Sequence, residues 1–462
     1  MIKFKKACII IFFLSILILS CGEDHLSRDD LSDCLGLATA DSLAPVGGIS
    51  EWFVWGIAYK QKPPVSGESL IKEIIDMHRD HHFGFIIWNA GRSTLAYRSE
   101  LPNTTLLCHQ DVAPWGEHNA FIREVLKTTC PLRLAINYGH EKKLAIYGRL
   151  AMNRHYGKEM HAGLTSRFAS EHPHCYERGK RGKIIRHKLC YAIDEVQQER
   201  IDILLEIQRL GVDALVLDYA RQMPILLYHD ALVQPFIEKT GVDPHQITST
   251  DPNDYKEWFQ YRADILTGFM RKLRLAVNAQ EKNLGKRCPV LVRIPDNAEW
   301  LMIAYGLDLR SWYEKDLIDG TILSPFPITK EDLELHTGFH VDMAHRHDKI
   351  CMGGIGTKHL KRNRVFRNTG FYDPQPVYDL ANQQYNTGVD AMTIYQSETL
   401  FHLPYLQPLL HQIDNKSRVK ALCRELDKPD FPPNYPIGMD WHTKLPQLRH
   451  GLSVEEFGDN AL

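Results

Sequence analysis

The sequence predicts an α/β fold, a (β/α)8 TIM barrel with loop insertions, and three observations predict it. Short apolar runs alternate with amphipathic helical patterns through eight steps in roughly 360 residues, the number such a barrel needs. The apolar runs are continuous blocks, as in Ala214 to Leu217, which is the pattern of parallel strands buried on both faces. The alternative for such an alternation is an open doubly wound sheet, but the chain has neither a G-x-G-x-x-G stretch nor a phosphate-binding loop.

The chain opens on Lys3, Lys5 and Lys6, then an apolar run from Ala7 to Leu19, then Ser20, Cys21 and Gly22. This is a charged, apolar and small-residue succession of the secretory type, too short to span a bilayer. Its ending resembles a bacterial lipobox. Residues 1–20 are expected to leave as a lipoprotein signal peptide, with Cys21 as the lipidated first residue of the mature chain. The Gly22-Glu23-Asp24 start resembles the surface-export signals of some Gram-negative lipoproteins, which predicts a lipid-anchored protein of the bacterial envelope, at the outer membrane or cell surface. Residues 21–50, mixed and small, read as a tether.

Phe53 to Tyr59 reads as the first strand, and Glu68 to Arg79 as a helix with Leu70, Ile71, Ile74, Ile75 and His78 on one face. Phe83 to Trp88 is the second strand, ending in Asn89. Cys130 to Lys143 is a helix with Pro131 near its start, and Leu144 to Met152 the third strand. A polar insertion from Gly157 to Lys188 precedes a helix from Asp194 to Leu210 and the fourth strand from Asp213 to Leu217. A long helix from Tyr255 to Gln280 leads to the fifth strand, Pro289 to Ile294. Residues 298–316 read as helical. Gly320 to Leu323, Lys349 to Gly354 and Ala391 to Tyr395 supply the last three strands, with a helix from Val377 to Asn386 between the final two and another around Pro404 to Ile413. The barrel is thus expected over 51–416. Pro429, Pro432, Pro433 and Pro436 mark 417–462 as an extended, irregular C-terminal tail.

At 462 residues and 44% hydrophobic content the chain can bury a full core. A formal charge of −2 gives no bulk preference for nucleic acid, and no nucleic-acid partner is expected. Of ten cysteines, Cys8 lies in the signal and Cys21 takes the lipid. The rest are scattered without a C-x-x-C pair, so no zinc or redox motif is present. Cys175 and Cys190 bracket a basic loop and are candidates to close it as a disulfide. The His-rich stretch 172–183 and His345 to His347 lack metal-ligand spacing, and neither a metal nor a cofactor is expected.

Several stretches together resemble family-10 glycosyl-hydrolase-like barrel proteins. They are CPLRLAINYGHEKKLAIYGRLAMNRHYG at 130–157, LTSRF at 164–168, LCYAIDEVQQERIDILLEIQRLGVDALVLDYAR at 189–221, GFMRKLRLAVNA at 268–279 and GLDLRSWYEKDLIDGTILSPF at 306–326. The resemblance spans about residues 50 to 415 and implies a barrel that acts on carbohydrate. It implies that Asn153 and His155 lie beside the site after the third strand, Arg167 on the loop beyond, and Asp218 and Arg221 after the fourth. The chain departs from the family pattern at Arg154, where an acidic residue would stand.

In a barrel of this kind the C-terminal strand ends carry the chemistry. Asp218 emerges where the fourth apolar run stops, and is the first catalytic candidate; its structural alternative is an ion pair with Arg221 or a loop cap. Glycoside hydrolysis needs one carboxyl that holds a proton and one that stays ionised. Asp218, with Arg221 and Arg293 at hand, suits the ionised role. Asp296 after the fifth strand and Glu398 after the eighth are the candidates for the acid, each with a helix or loop cap as its structural alternative. Asn89, Asn153, His155 and Gln396, with Trp55, Trp88 and Tyr219 as stacking surfaces, are candidates for binding sugar. The rival reading is a surface glycan-binding barrel without catalysis, and a further one a structural envelope protein.

Overall fold

The structure, a computed structural model, describes residues 26–37, 45–54, 66–109, 116–153, 155, 165–248, 252–324, 335–356, 361–362, 372–373, 375–401 and 410–425. Eight parallel strands close into a barrel: β1 (Val46–Ser50), β2 (Phe85–Gly91), β3 (Ala145–Ala151), β4 (Ala214–Asp218), β5 (Val290–Pro295), β6 (Gly320–Ser324), β7 (Ile350–Gly356) and β8 (Ala391–Tyr395). Each strand pairs with its neighbours in chain order, and β8 pairs with β1 to shut the ring. This is the (β/α)8 TIM barrel that the alternating pattern predicts.

Strands β2 to β8 lie where the apolar runs place them, but the first does not. β1 is Val46–Ser50, inside the stretch read as tether, while the start of the expected strand, Phe53 and Val54, belongs to a 3-10 turn (Trp52–Val54) and its residues 55–59 lie outside the described residues. The reason is steric. A Cβ at Gly47 would overlap the Phe85 ring, and one at Gly48 would overlap His78 and Ser397, so this strand is built from glycine. A Val-Gly-Gly-Ile-Ser strand carries too little apolar surface to be seen as one.

The tether reading also fails at Arg28–Cys34, a short helix started by a Ser27–Asp30 capping box. Its Leu31 and Leu35, with Leu37 beyond, are buried among Ile49, Phe85, Ile87 and Tyr147 of the barrel interior. The Tyr147 hydroxyl donates to the Leu35 carbonyl at 2.5 Å. The helix therefore packs against the start of the strands, opposite the end that carries the polar residues.

The other end of the chain needs a similar correction. Lys416–Glu425, read as the start of an extended tail, is a helix. It packs on the helix Gln375–Thr387 and buries Val419. The helical stretch expected over 298–316 divides into Glu299–Tyr305 and Leu309–Glu314. Gly306 at φ +94° ends the first, and the Asp308 carboxylate starts the second by accepting from Ser311 N–H at 3.0 Å.

In the polar insertion, residues 165–189 form a helix, Arg167–Glu171, and a two-stranded hairpin, Tyr176–Arg178 with Ile184–Leu189. Cys175 and Cys190 flank this hairpin, and Cys190 N–H donates to the Cys175 carbonyl at 2.9 Å. Both are nevertheless free, buried thiols, so the expected disulfide is not formed. Residues 1–25, with the signal and Cys21, and residues 426–462 lie outside the described residues, as do Trp55 and Arg154.

Candidate active site

Side chains alternate in and out along each strand, and this parity builds the site. In β4, Ala214 and Val216 belong to the barrel interior, so Asp218 points inward too. The same two-residue step carries Leu291 to Arg293, Tyr147 to Arg149, Phe85 and Ile87 to Asn89, Ile49 to Glu51, and Ile322 to Ser324. The interior is apolar below and abruptly polar at the C-terminal ends of the strands.

These polar groups form one buried network. Asp218 Oδ2 accepts from Arg149 Nη1 at 2.5 Å. Arg293 Nη1 lies 3.1 Å from both oxygens of Asp218, and Ala220 N–H donates to Oδ1 at 3.0 Å. The second nitrogen of Arg293 donates to Ser324 Oγ at 2.7 Å. The second nitrogen of Arg149 donates to Glu51 Oε1, where the Tyr395 hydroxyl also donates at 3.0 Å. Glu51 Oε2 accepts from Asn89 Nδ2 at 2.5 Å and Arg92 Nη2 at 3.3 Å. Arg221 donates to the Tyr395 hydroxyl at 3.0 Å.

The electrostatics follow from these contacts. Burial alone would raise the Asp218 carboxyl, but Arg293 and Arg149 outweigh it and hold the group below its ordinary range. Burial opposes Arg149 and Arg92 at Glu51 in the same way, and the cations again prevail. Both carboxylates are ionised near neutral pH.

Glu398 behaves oppositely. Gln396 adopts a left-handed backbone at φ 55° and its N–H donates to the Ile49 carbonyl at 2.8 Å, which turns the chain back over β1. Glu398, in the short helix Ser397–Leu400, then accepts from Glu51 N–H at 2.8 Å. Full burial pushes its carboxyl up to about 7, aided by the nearby Glu51 charge. Next to it, Ser397 Oγ lies 2.7 Å from His78 Nε2, while His78 Nδ1 lies 2.7 Å from the Ile74 carbonyl. A carbonyl can only accept, so Nδ1 carries the proton and Nε2 accepts from the serine. Burial takes His78 down to about 4, which keeps it neutral.

Asp296 does not join the network. β4 and β5 are adjacent, but their register sets Asp218 opposite Arg293. Three residues on, Asp296 has the opposite parity and turns to the helix Thr337–Arg346, where Oδ2 accepts from Thr337 Oγ1 at 2.6 Å. Burial raises it to about 6. It is a buried carboxyl, raised but still mostly ionised at neutral pH, in a different place from Asp218.

Other residues singled out from the sequence have other surroundings. Tyr219 is fully buried with outward parity, and its hydroxyl reaches Met270 Sδ, so it offers no stacking face. Trp88 is likewise buried, stacked on Trp52 at 6.3 Å between ring centres. Arg167 is exposed and pairs with Glu171 at 2.7 Å within its own helix. Asn153 donates to the Arg221 carbonyl and fixes the loop after β4. Burial holds His155 well below its usual range, with the nearby Arg200 and His187 adding to it. Gln396 acts through its backbone.

Glu51, Arg92, Arg149 and Tyr395 are members of the site that sequence reading passes over. Arg149 and Tyr395 had a signal, a charged or hydroxylated residue at inward parity in an apolar strand. Glu51 has none, because the glycine-rich strand leading to it carries no apolar block.

No protein-family model and no curated protein matches the chain. Solved structures do. The catalytic domain of a β-amylase from Paenibacillus polymyxa is similar at a TM-score of 0.48 and 10% identity, over 85% of this chain and 100% of that one. A maltogenic α-amylase from Thermotoga neapolitana gives 0.41 and 10%, over 81% and 76%. A chitobiase from Flavobacterium johnsoniae gives 0.42 and 11%, over 83% and 52%. The assignment of the fold itself rests on the strand order and register above.

Proposed function

We propose that this barrel is a glycoside hydrolase acting on a polysaccharide or glycoconjugate at the bacterial envelope, anchored there through lipid on Cys21. The observation that supports it most is the divergence of neighbouring carboxyl groups at one barrel mouth. Asp218 and Glu51 are kept ionised on shared arginines, while Glu398 holds a proton near neutral pH. Glycosidic cleavage needs that division of labour: an acid to protonate the leaving oxygen and an ionised carboxylate to serve as nucleophile or base. Glu398 takes the first role and Asp218 the second, with Glu51 stabilising positive charge that develops on the sugar. The resemblance to family-10 glycosyl-hydrolase-like proteins points to the same chemistry.

A second reading, a glycan-binding barrel without turnover, is favoured by one feature. Both oxygens of Asp218 already accept hydrogen bonds from Arg149, Arg293 and Ala220, which lowers their nucleophilicity. Purified protein on a glycan panel, with reducing-end detection and binding measured in parallel, separates the two. New reducing ends that vanish in Glu398→Gln support the hydrolase. Binding without turnover supports the second reading, and neither would reject both.

A further inference from the structure

On the outer wall of the barrel, away from the network at its mouth, lies an open cavity of about 270 Å³. Three segments line it. The Arg98–Glu100 stretch follows β2, Cys130 and Arg133 open the helix Pro131–Glu141, and Glu206, Arg209 and Leu210 end the helix Asp194–Arg209. We propose that this cavity is a binding site for an oxyanion, a sulfate, phosphate or carboxylate group carried on a unit no larger than a single sugar.

Charge is the first argument. Arg98, Arg133 and Arg209 come from three different segments, are exposed, and among the described residues have no hydrogen bond or ion pair. Glu100 and Glu206 line the cavity too, but the three guanidiniums outnumber the two carboxylates, and their planar forks match oxyanions in two-point contact. Glu206 forms an ion pair with none of them, and its oxygens take their hydrogen bonds from neutral donors. Oε1 accepts from Glu100 N–H at 2.7 Å, and Oε2 from the Tyr97 and Ser99 hydroxyls at 2.6 Å each.

The second argument is that the cavity is preformed. Those three bonds to Glu206 staple the Arg98–Glu100 segment to the helix, and Leu101 N–H, donating to Ser99 Oγ at 3.1 Å, holds the turn beyond. The first turn of Pro131–Glu141 opens onto the cavity without a side-chain cap on Cys130, so its positive end is not consumed internally. The opposing helix presents its negative end, and Arg209 in its last turn offsets that. A volume near 270 Å³ is at the small end for ligand pockets and suits one charged ring or a bare anion.

The test is calorimetric titration of the full protein with sodium sulfate, sodium phosphate, glucuronate, glucose 6-sulfate and neutral glucose, at constant ionic strength in chloride. Arg133→Ala, Arg209→Ala and the double variant are run beside the wild type. Their side chains are exposed, so unchanged thermal melts show that folding is intact. Each single variant should weaken anion binding by roughly tenfold, and the double variant should abolish it. Inorganic anions binding as well as the sugar-borne ones would define a simple sulfate or phosphate site. Binding confined to glucuronate or glucose 6-sulfate would define a subsite for an acidic glycan. No anion binding, equal binding of neutral glucose, or binding that survives the double variant would overturn the proposal. Asp218→Asn, remote from the cavity, should leave anion binding unchanged whatever it does to turnover.

Discussion

A single guanidinium, that of Arg149, joins Asp218 to Glu51: one nitrogen donates to Asp218 at 2.5 Å and the other to Glu51. All three side chains are buried, so the contact works at low dielectric and each charge depends on the others. Replacing Arg149 with Met keeps the length and removes the cation, leaving two carboxylates short of a partner. The expected cost is about 3–5 kcal/mol at neutral pH. The carboxyl groups of the variant titrate higher in the folded state, so part of the loss should return on acidification toward pH 5. Urea melts at the two pH values check this; equal stability of variant and wild type at neutral pH would show that Arg293 and Arg92 suffice alone.

Gly48 is the residue on which β1 depends. An Ala there drives a methyl group into His78 and Ser397, both fully buried. Gly48→Ala should therefore destabilise by at least 1–3 kcal/mol, roughly the cost of overpacking, and should disturb Glu398 through its neighbour Ser397. The measurement is a denaturant midpoint together with the pH profile of any activity found. Gly268, whose added Cβ meets nothing and whose φ is not positive, provides a glycine where neither crowding nor backbone strain has a part.

Much of this architecture was legible in the sequence, because a buried parallel strand announces itself as an apolar block. β4 and β8 are of that kind, and Asp218 and Glu398 follow directly from where those blocks end. β1 was not legible, since close packing against Phe85 and His78 selects glycine over β-branched residues. With β1 hidden, Glu51 was hidden too. Asp296 illustrates the other limit: being at the end of the right strand does not fix the side of the barrel wall, and a parity count from Leu291 does.

Glu398 makes a specific prediction for stability against pH. Its carboxyl is raised from 4.5 to about 7, so the folded state holds the proton more tightly than the unfolded state. That contribution is fully present below about pH 4.5 and is lost as pH rises to about 7. The Gln variant has no such proton to lose. The stability of wild type relative to Glu398→Gln should therefore fall by on the order of 3 kcal/mol across this window and stay level above it. Parallel urea titrations from pH 4 to 8 read the difference; a flat line would mean that Glu398 is ionised throughout.

The anchor is testable independently of the barrel. If Cys21 carries lipid, Cys21→Ser should move the protein from the membrane fraction to the soluble one. Each buried CH2 of an acyl chain contributes about 0.8 kcal/mol to membrane binding, so losing the chains removes the attachment. Retention of the variant in membranes washed with carbonate and high salt would instead indicate an uncleaved apolar helix.

The mechanism is tested by asking whether Asp218 and Glu398 fail in different ways. With Asp218 as the ionised nucleophile or base, Asp218→Asn should lower turnover on the order of 10³-fold or more at every pH. With Glu398 as the acid, only the protonated enzyme protonates the leaving group, so kcat/KM of the wild type should fall as pH rises through about 7. Glu398→Gln should flatten that alkaline limb. It should also cost most on substrates with poor leaving groups and little on activated aryl glycosides, which depart without a proton. A structural role predicts a different pattern: Asp218→Asn, no longer matching two arginines, would lower the melting temperature, and turnover would fall only with the folded fraction. Melts and kinetics on the same preparations decide between them, and a well-folded, fully active Asp218→Asn protein would transfer the ionised role to Glu51, the other carboxylate on Arg149.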